Sequence, residues 1–223
     1  MDELELVIFD LAGTTVEDHG EVPAAFTAAL AGHGIEVTHE QVKNVRGASK
    51  RQAVRHLIPA GPEQARLADE VYASFRAHLA QRYATEGVRA IPGAAQAFRS
   101  LRERGVRVAL NTGFDREMTG LLLGALGWTD GIVDTVVCGD DVSRGRPAPY
   151  LIFRAMETTG ASSVHRIANI GDTTLDLQAG YNAGVRWNIG VLSGAHDRVT
   201  LTSVPHTHLL LSVAEVTRLW AAT

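Results

Sequence analysis

The chain has 223 residues, 45% of them apolar and 21% charged, with a formal net charge of −4. That length holds one sizeable core plus an insertion, and the charge balance excludes the global basic field that draws nucleic acid or an anionic membrane. No apolar run approaches the roughly 18 residues a membrane span needs, the acidic start Met1-Asp2-Glu3-Leu4-Glu5 lacks a secretory pattern, and the lone Cys138 excludes an internal disulfide, so a reducing cytoplasm is the expected compartment.

A continuous apolar run at 6–9 predicts the first strand, and it ends in Asp10 and a small turn, Leu11-Ala12-Gly13-Thr14-Thr15. Four helices are predicted next, over 23–33, 39–45, 49–57 and 63–83, with breaks at Gly32–Gly34 and Gly61-Pro62. A structureless loop of about 80 residues would be implausible there, so an inserted helical subdomain is the better inference. From residue 90 onward strands and helices alternate. Helices are expected at 92–104, 116–126, 149–159, 174–183 and 212–219, and strands at 106–110, 135–138, 167–170 and 187–191. Apolar strands buried on both faces and separated by helices predict an α/β fold with a doubly wound parallel sheet. The expected division is a core of residues 1–16 and 88–223, with a helical cap of residues 17–87.

Four polar sites fall at strand ends or helix starts, the edge where open α/β sheets bind ligands. They are Asp10; Asn111-Thr112-Gly113; Arg146 in Gly145-Arg146-Pro147-Ala148-Pro149; and Asp172 with Asp176 in Gly171-Asp172-Thr173-Thr174-Leu175-Asp176. Taken singly, an Asp after a strand is more often a helix cap than a catalyst, and a lone Arg is a surface charge. Their common position argues for a shared site.

These motifs resemble those of the haloacid dehalogenase (HAD) superfamily over nearly the whole chain. The resemblance implies that Asp10 attacks phosphorus and forms a phosphoaspartyl intermediate. It further implies that Thr112 holds a phosphoryl oxygen, that Arg146 clamps charge, and that Asp172 binds Mg2+. Asp176 would bind the ion through water or support its shell. Asn111 and Thr112 both suit the phosphoryl contact, and Arg144 is a weaker rival to Arg146. Phosphoryl transfer needs positioning and charge cancellation. Magnesium takes carboxylate and carbonyl oxygens, which Asp10, Asp172 and the Ala12 carbonyl supply. Backbone N–H groups at Leu11–Gly13 and Gly113 are suited to cradle the anion.

Ala12 stands where ordinary phosphatases of the superfamily carry a second Asp as general acid, a function worth roughly 10²–10⁴ in rate. The Asp-x-Ala-Gly-Thr-Thr pattern resembles the phosphonatases (phosphonoacetaldehyde hydrolases), which cleave a carbon–phosphorus bond through a Schiff base on a cap lysine. Lys50 in Arg46-Gly47-Ala48-Ser49-Lys50 is the candidate, and the cations Arg46 and Arg51 favour its neutral amine. Lysine at this turn is equally compatible with plain binding of substrate oxygens. Thr112-Gly113-Phe114-Asp115-Arg116-Glu117-Met118 also resembles the phosphonatase version. Two departures are Ala53, where phosphonatases carry a His, and the absence of an early cap cysteine. His56 lies roughly 240° round the helix from Lys50 and does not replace that His. The expected substrate is a small phosphonate, with a phosphate ester or acyl phosphate as the alternative and a non-catalytic phosphate-binding protein behind both. The resemblance also suggests a homodimer through the cap.

The other candidates read as background. Nine histidines lack the paired spacing of a zinc site, Trp128, Trp187 and Trp220 read as packing residues, and Cys138 as strand core. Ser193-Gly194 lies at the expected site edge.

Overall fold

The computed structural model describes residues 4–129 and 131–220, and Met1-Asp2-Glu3 of the acidic start lie outside them. Strand β1 (Leu6–Asp10) is buried along its whole length, and alternation sends its side chains to opposite faces. Val7 and Phe9 join one apolar cluster, with Val108, Leu110 and Ile170. Leu6 and Ile8 join another, with Ala109, Leu151 and Ile152. A central strand with two dry faces needs a layer of helices on each side, and the chain supplies both.

The flanking strands are β2 (Arg107–Asn111), β3 (Thr135–Val137), β4 (Ile167–Gly171), β5 (Trp187–Val191) and β6 (His208–Leu210). All pair in parallel, in the order β3-β2-β1-β4-β5-β6. The order reverses between β1 and β4, the switch point beside which a doubly wound sheet opens a crevice at its carboxyl edge. The register sets Asp10 opposite Asn111 and Phe9 opposite Ile170, so three strand ends are level.

Between β1 and β2 run α1 (Glu21–Ala31), α2 (His39–Asn44), α3 (Lys50–Leu57), α4 (Gln64–Glu86) and α5 (Ala94–Glu103). The long α4 buries Ala68, Val71, Tyr72, Phe75, Leu79 and Tyr83 along one stripe. Phe75 stacks on Phe26 of α1 with ring centroids 4.2 Å apart. Together α1 to α4 share an apolar cluster of their own, and Phe114, Met118 and Leu122 from the sheet's side enter it. Those residues belong to or precede α6 (Arg116–Ala125), whose start is capped by the Asp115 side chain. The Tyr72 hydroxyl donates to the same carboxylate at 2.6 Å, tying α4 to the start of α6.

The remaining helices are α7 (Tyr150–Thr159), α8 (Thr174–Ala183) and α9 (Arg198–Leu201). The expected helix at 212–219 is a 3-10 helix, Val213–Trp220. Strand β6, helix α9 and a 3-10 turn at Val164–Arg166 were not expected from the sequence. The three tryptophans pack as expected: Trp128 edge-on to Phe98, and Trp187 to Trp220. Among the described residues no helix is long and apolar enough to cross a membrane.

Candidate active site

The carboxyl ends of β1, β2 and β4 bring Asp10, Asn111, Thr112 and Asp172 together, all buried. Arg146 enters beneath them from the loop before α7 and is itself buried, whereas Arg144 is exposed. Its guanidinium reaches four separate stretches of chain. Nη1 meets Asp10 Oδ1 at 2.8 Å and Nε meets Asp176 Oδ1 at 2.9 Å. Nη2 donates to the Asn111 side-chain oxygen and to its carbonyl, and Nη1 also donates to the Gly47 carbonyl at 3.3 Å. A planar five-donor fork serves that many acceptors where an ammonium would not.

This geometry separates Asn111 from Thr112. Asn111 is spent on holding Arg146, while Thr112 lines the cavity over Asp10. Asp176 is likewise committed. Its Oδ1 faces Arg146, and its Oδ2 accepts from the Thr173 N–H at 3.1 Å and from the Thr173 hydroxyl, completing a capping box at the start of α8. It therefore stands as an anchor for Arg146, in the supporting position rather than among free oxygens. The expected cradle narrows too, because the Gly13 N–H is engaged by the Val16 carbonyl at 2.7 Å.

Asp172 is held by groups that sequence reading did not assign. The Ala195 N–H donates to its Oδ2 at 2.7 Å and the Thr14 hydroxyl to its Oδ1 at 3.2 Å. Gly13 and Gly194 close around it, and a Cβ on either would come within 2.3 Å or 2.0 Å of Oδ2. Ser193 ties the same loop down by donating to the Gly13 carbonyl at 2.8 Å. Burial, with the charges of Asp10 and Asp176, pushes the Asp172 carboxyl up to about 8. Burial raises Asp10 to about 6 against the pull of Arg146. Two buried acids that repel one another within a glycine cradle form a donor set suited to a divalent cation. Among the described residues no group of three His, Cys, Asp or Glu side chains is placed to hold a metal ion by itself. The fit is to a hard ion that takes two carboxylates, a carbonyl such as that of Ala12, and waters. Cys138 is buried and its thiol is pushed up to about 11 by that burial, which leaves it inert.

The turn Arg46–Lys50 forms the roof. Gly47 has φ +86°, and a Cβ there would lie 2.2 Å from Thr173 Oγ1. A Cβ on Gly113 would lie 2.3 Å from the Ala48 carbonyl oxygen, so both glycines permit the approach of roof to floor. The Lys50 N–H donates to the Gly113 carbonyl at 2.9 Å. The Lys50 side chain is buried, with Nζ 4.8 Å from the centre of the Phe114 ring. Burial lowers its ammonium to about 8, with Asp10 opposing and Arg146 and Arg46 assisting. Arg46 pairs with Asp18, an acid the sequence reading passed over. On α3, Ala53 is buried and His56 exposed, in line with the helical angle between Lys50 and His56.

Between roof and floor lies a cavity of about 20 Å³ lined by Asp10, Ala12, Lys50, Thr112, Phe114 and Arg46, among others, room for about one water. A larger groove of about 860 Å³ runs along the β3 edge past Trp128 and Arg154, and it contains none of the predicted site residues. The convergence of acids, a buried Arg and a buried Lys marks the small cavity, not the large groove, as the candidate site.

The sequence model of one family, haloacid dehalogenase-like hydrolase, matches residues 4–184. A phosphonoacetaldehyde hydrolase of Bacteroides fragilis is 31% identical, over 97% of this chain and 88% of its own. Among solved structures, a hydrolase from Pseudomonas syringae superposes with a TM-score of 0.86 at 21% identity, covering 99% of each chain. A phosphonoacetaldehyde hydrolase-like protein from Oleispira antarctica superposes with a TM-score of 0.84 at 23% identity, over 97% of this chain and 91% of that one. At those identities the two structures establish the fold alone.

Proposed function

This chain belongs to the haloacid dehalogenase-like hydrolases, and on that premise we propose that it is a magnesium-dependent phosphonatase, cleaving the carbon–phosphorus bond of phosphonoacetaldehyde or a related small phosphonate. The observation that carries the reading is Lys50, buried over Asp10 with its ammonium lowered to about 8, in a site whose second position after the nucleophile is Ala12. A leaving alkoxide would need a proton from that position. A leaving carbon needs an electron sink instead.

In the proposed sequence the Lys50 amine condenses with the aldehyde, losing water and forming an imine that is protonated on nitrogen. Asp10 attacks phosphorus, and the electron pair of the carbon–phosphorus bond moves into the imine to give an enamine. Protonation at carbon and hydrolysis release acetaldehyde and free Lys50. Water then attacks the phosphoaspartyl phosphorus, so phosphate leaves and the carboxylate is restored. Arg146 keeps Asp10 oriented, and Thr112 with the N–H groups at Leu11 and Gly113 would bind phosphoryl oxygens. Asp10, Asp172 and the Ala12 carbonyl would hold the magnesium, which supplies charge neutralisation at the phosphoryl group. Residues 17–87 act as the cap over a core of residues 1–16 and 88–223. The 20 Å³ cavity supports this division, because a substrate enters only when the roof lifts.

A second reading, a phosphatase for an acyl phosphate or another activated ester, draws support from the surroundings of Lys50. Its Nζ donates to the Ala48 carbonyl at 3.4 Å, and Ala53 offers no base one turn along. Incubation with phosphonoacetaldehyde and magnesium, reading both acetaldehyde and phosphate, decides between them. The phosphonatase reading expects equimolar products from the wild type and none from Lys50→Arg. Phosphate released only from esters or acyl phosphates, unaffected by Lys50→Arg, would establish the second reading instead.

A further inference from the structure

The roof holds a cationic side chain that the aldehyde reaction does not use. Phosphoryl recognition is covered from below by Thr112, the N–H groups at Leu11 and Gly113 and the metal-binding acids, and imine formation needs Lys50 alone. Arg46 remains. Its side chain is 21% exposed, and the carboxylate it pairs with, Asp18, is only 1% exposed. Asp18 is in turn fixed by N–H groups at the start of α1, Gly20 at 3.1 Å and Val22 at 3.4 Å, both to Oδ1, while Oδ2 takes the guanidinium. A buried, triply bonded acid pins Arg46 at the cavity wall.

Arg46 also borders a second space. A cleft of about 190 Å³ is lined by Pro23, His39, Lys43, Arg46 and Ala195, and it shares Pro23 and Arg46 with the reaction cavity. Arg46 is thus shared by the reaction cavity and a basic cleft with room for several atoms beyond the reacting carbon. An aldehyde ends in hydrogen and would leave both the cation and this space unused. A planar cation with fork geometry, already oriented, is the matching partner for a carboxylate.

We propose that Arg46 is a specificity-determining residue for a carboxylate on the leaving group, so that the preferred substrate class is the 2-oxo-3-phosphonocarboxylates, with 3-phosphonopyruvate as the simplest member. The inference rests on the phosphonatase reading above. The carbonyl stays β to phosphorus, where Lys50 reaches it, and a carboxylate replaces the aldehyde hydrogen. The electron accounting is unchanged. Lys50 and the ketone lose water to give a ketimine, Asp10 takes phosphorus, and the carbon–phosphorus electron pair forms the enamine. Protonation and hydrolysis then yield pyruvate, and water releases phosphate from Asp10.

The test is kcat/KM for 3-phosphonopyruvate and for phosphonoacetaldehyde, with magnesium saturating, in the wild type, Arg46→Met and Arg46→Lys. Borohydride trapping of Lys50 runs alongside with each compound. The wild type is expected to favour 3-phosphonopyruvate, and Arg46→Met to lower that ratio by roughly 10- to 100-fold, the worth of a charged hydrogen-bonded pair. Most of the change should fall in KM, with partial recovery in Arg46→Lys. A wild-type preference for the aldehyde, with Lys50 trapped by it, overturns the carboxylate proposal and leaves the phosphonatase reading standing. A ratio indifferent to Arg46→Met overturns the proposal as well. No trapping and no turnover of either compound removes both. The wild-type ratio decides even if the Arg46 variants fold poorly.

Discussion

The floor and the roof of the site are built on opposite principles. The floor is a closed network in which Arg146 alone joins Asp10, Asn111, Asp176 and the Gly47 carbonyl. Its four side chains are buried and partnered, the Gly47 carbonyl reaches them from the roof, and the arrangement suits any reaction that moves a phosphoryl group. The roof is sparse. It offers one buried lysine against an aromatic ring and one arginine held by a single acid. On the proposed reading, generality resides where the bonds are dense and choice of substrate where they are few, because a group that is already saturated has nothing left with which to discriminate.

The largest effect that would sharpen this contrast is at the floor. Asp10→Asn is expected to remove at least about 10⁴-fold of turnover on every phosphorus substrate, with circular dichroism unchanged. Phosphate release from that variant at the wild-type rate would end the phosphoaspartyl mechanism. A smaller effect lies at the seam. Gly47→Ala puts a Cβ on Thr173 in a backbone region that disfavours it, so the roof is displaced. Thermal melts should report a loss of about 1–3 kcal/mol, and kcat should fall by up to about 10²-fold from misplacement of Lys50. A variant that melts and turns over like the wild type would mean that roof and floor are not in functional contact.

The smallest effect separates the two regions by pH. Burial lowers the Lys50 ammonium to about 8, so it loses its proton on raising pH through that value. The neutral amine is the nucleophile, hence kcat/KM for the aldehyde should rise about tenfold per pH unit below 8 and level above it, with magnesium saturating. Arg46→Met removes a cation that assists the lowering and should move the inflection upward. An aldehyde profile flat between pH 6 and 8 would assign Lys50 to binding only.

The sheet and the floor were legible because their signals are local. Apolar runs ending in Asp10, Asn111 or Gly171 mark strand ends, and strand ends of a parallel sheet meet on one edge. Strand β6 escaped notice because His208–Leu210 is only three residues long and lies at the margin of the sheet. The 3-10 form of Val213–Trp220 escaped because an apolar period does not distinguish it from an α-helix. At the site, adjacent residues left Asn111 and Thr112 equivalent on paper, and only the position of Arg146 separated them. Asp18, Thr14 and Ala195 carried no signal. An acid before a helix, a threonine in a turn and a backbone N–H are ordinary until a distant residue arrives beside them.

That dependence on distant arrivals has a bearing on how the molecule is made. Synthesis runs from the amino to the carboxyl end, so Asp10 emerges before Arg146, Asp172 and Asp176. Until α8 has been added there is no acid to hold the Arg146 Nε, and no loop to bind Asp172. A nascent or truncated chain therefore carries Asp10 without the side chains that surround it, and the buried cluster is assembled only with the completed sheet.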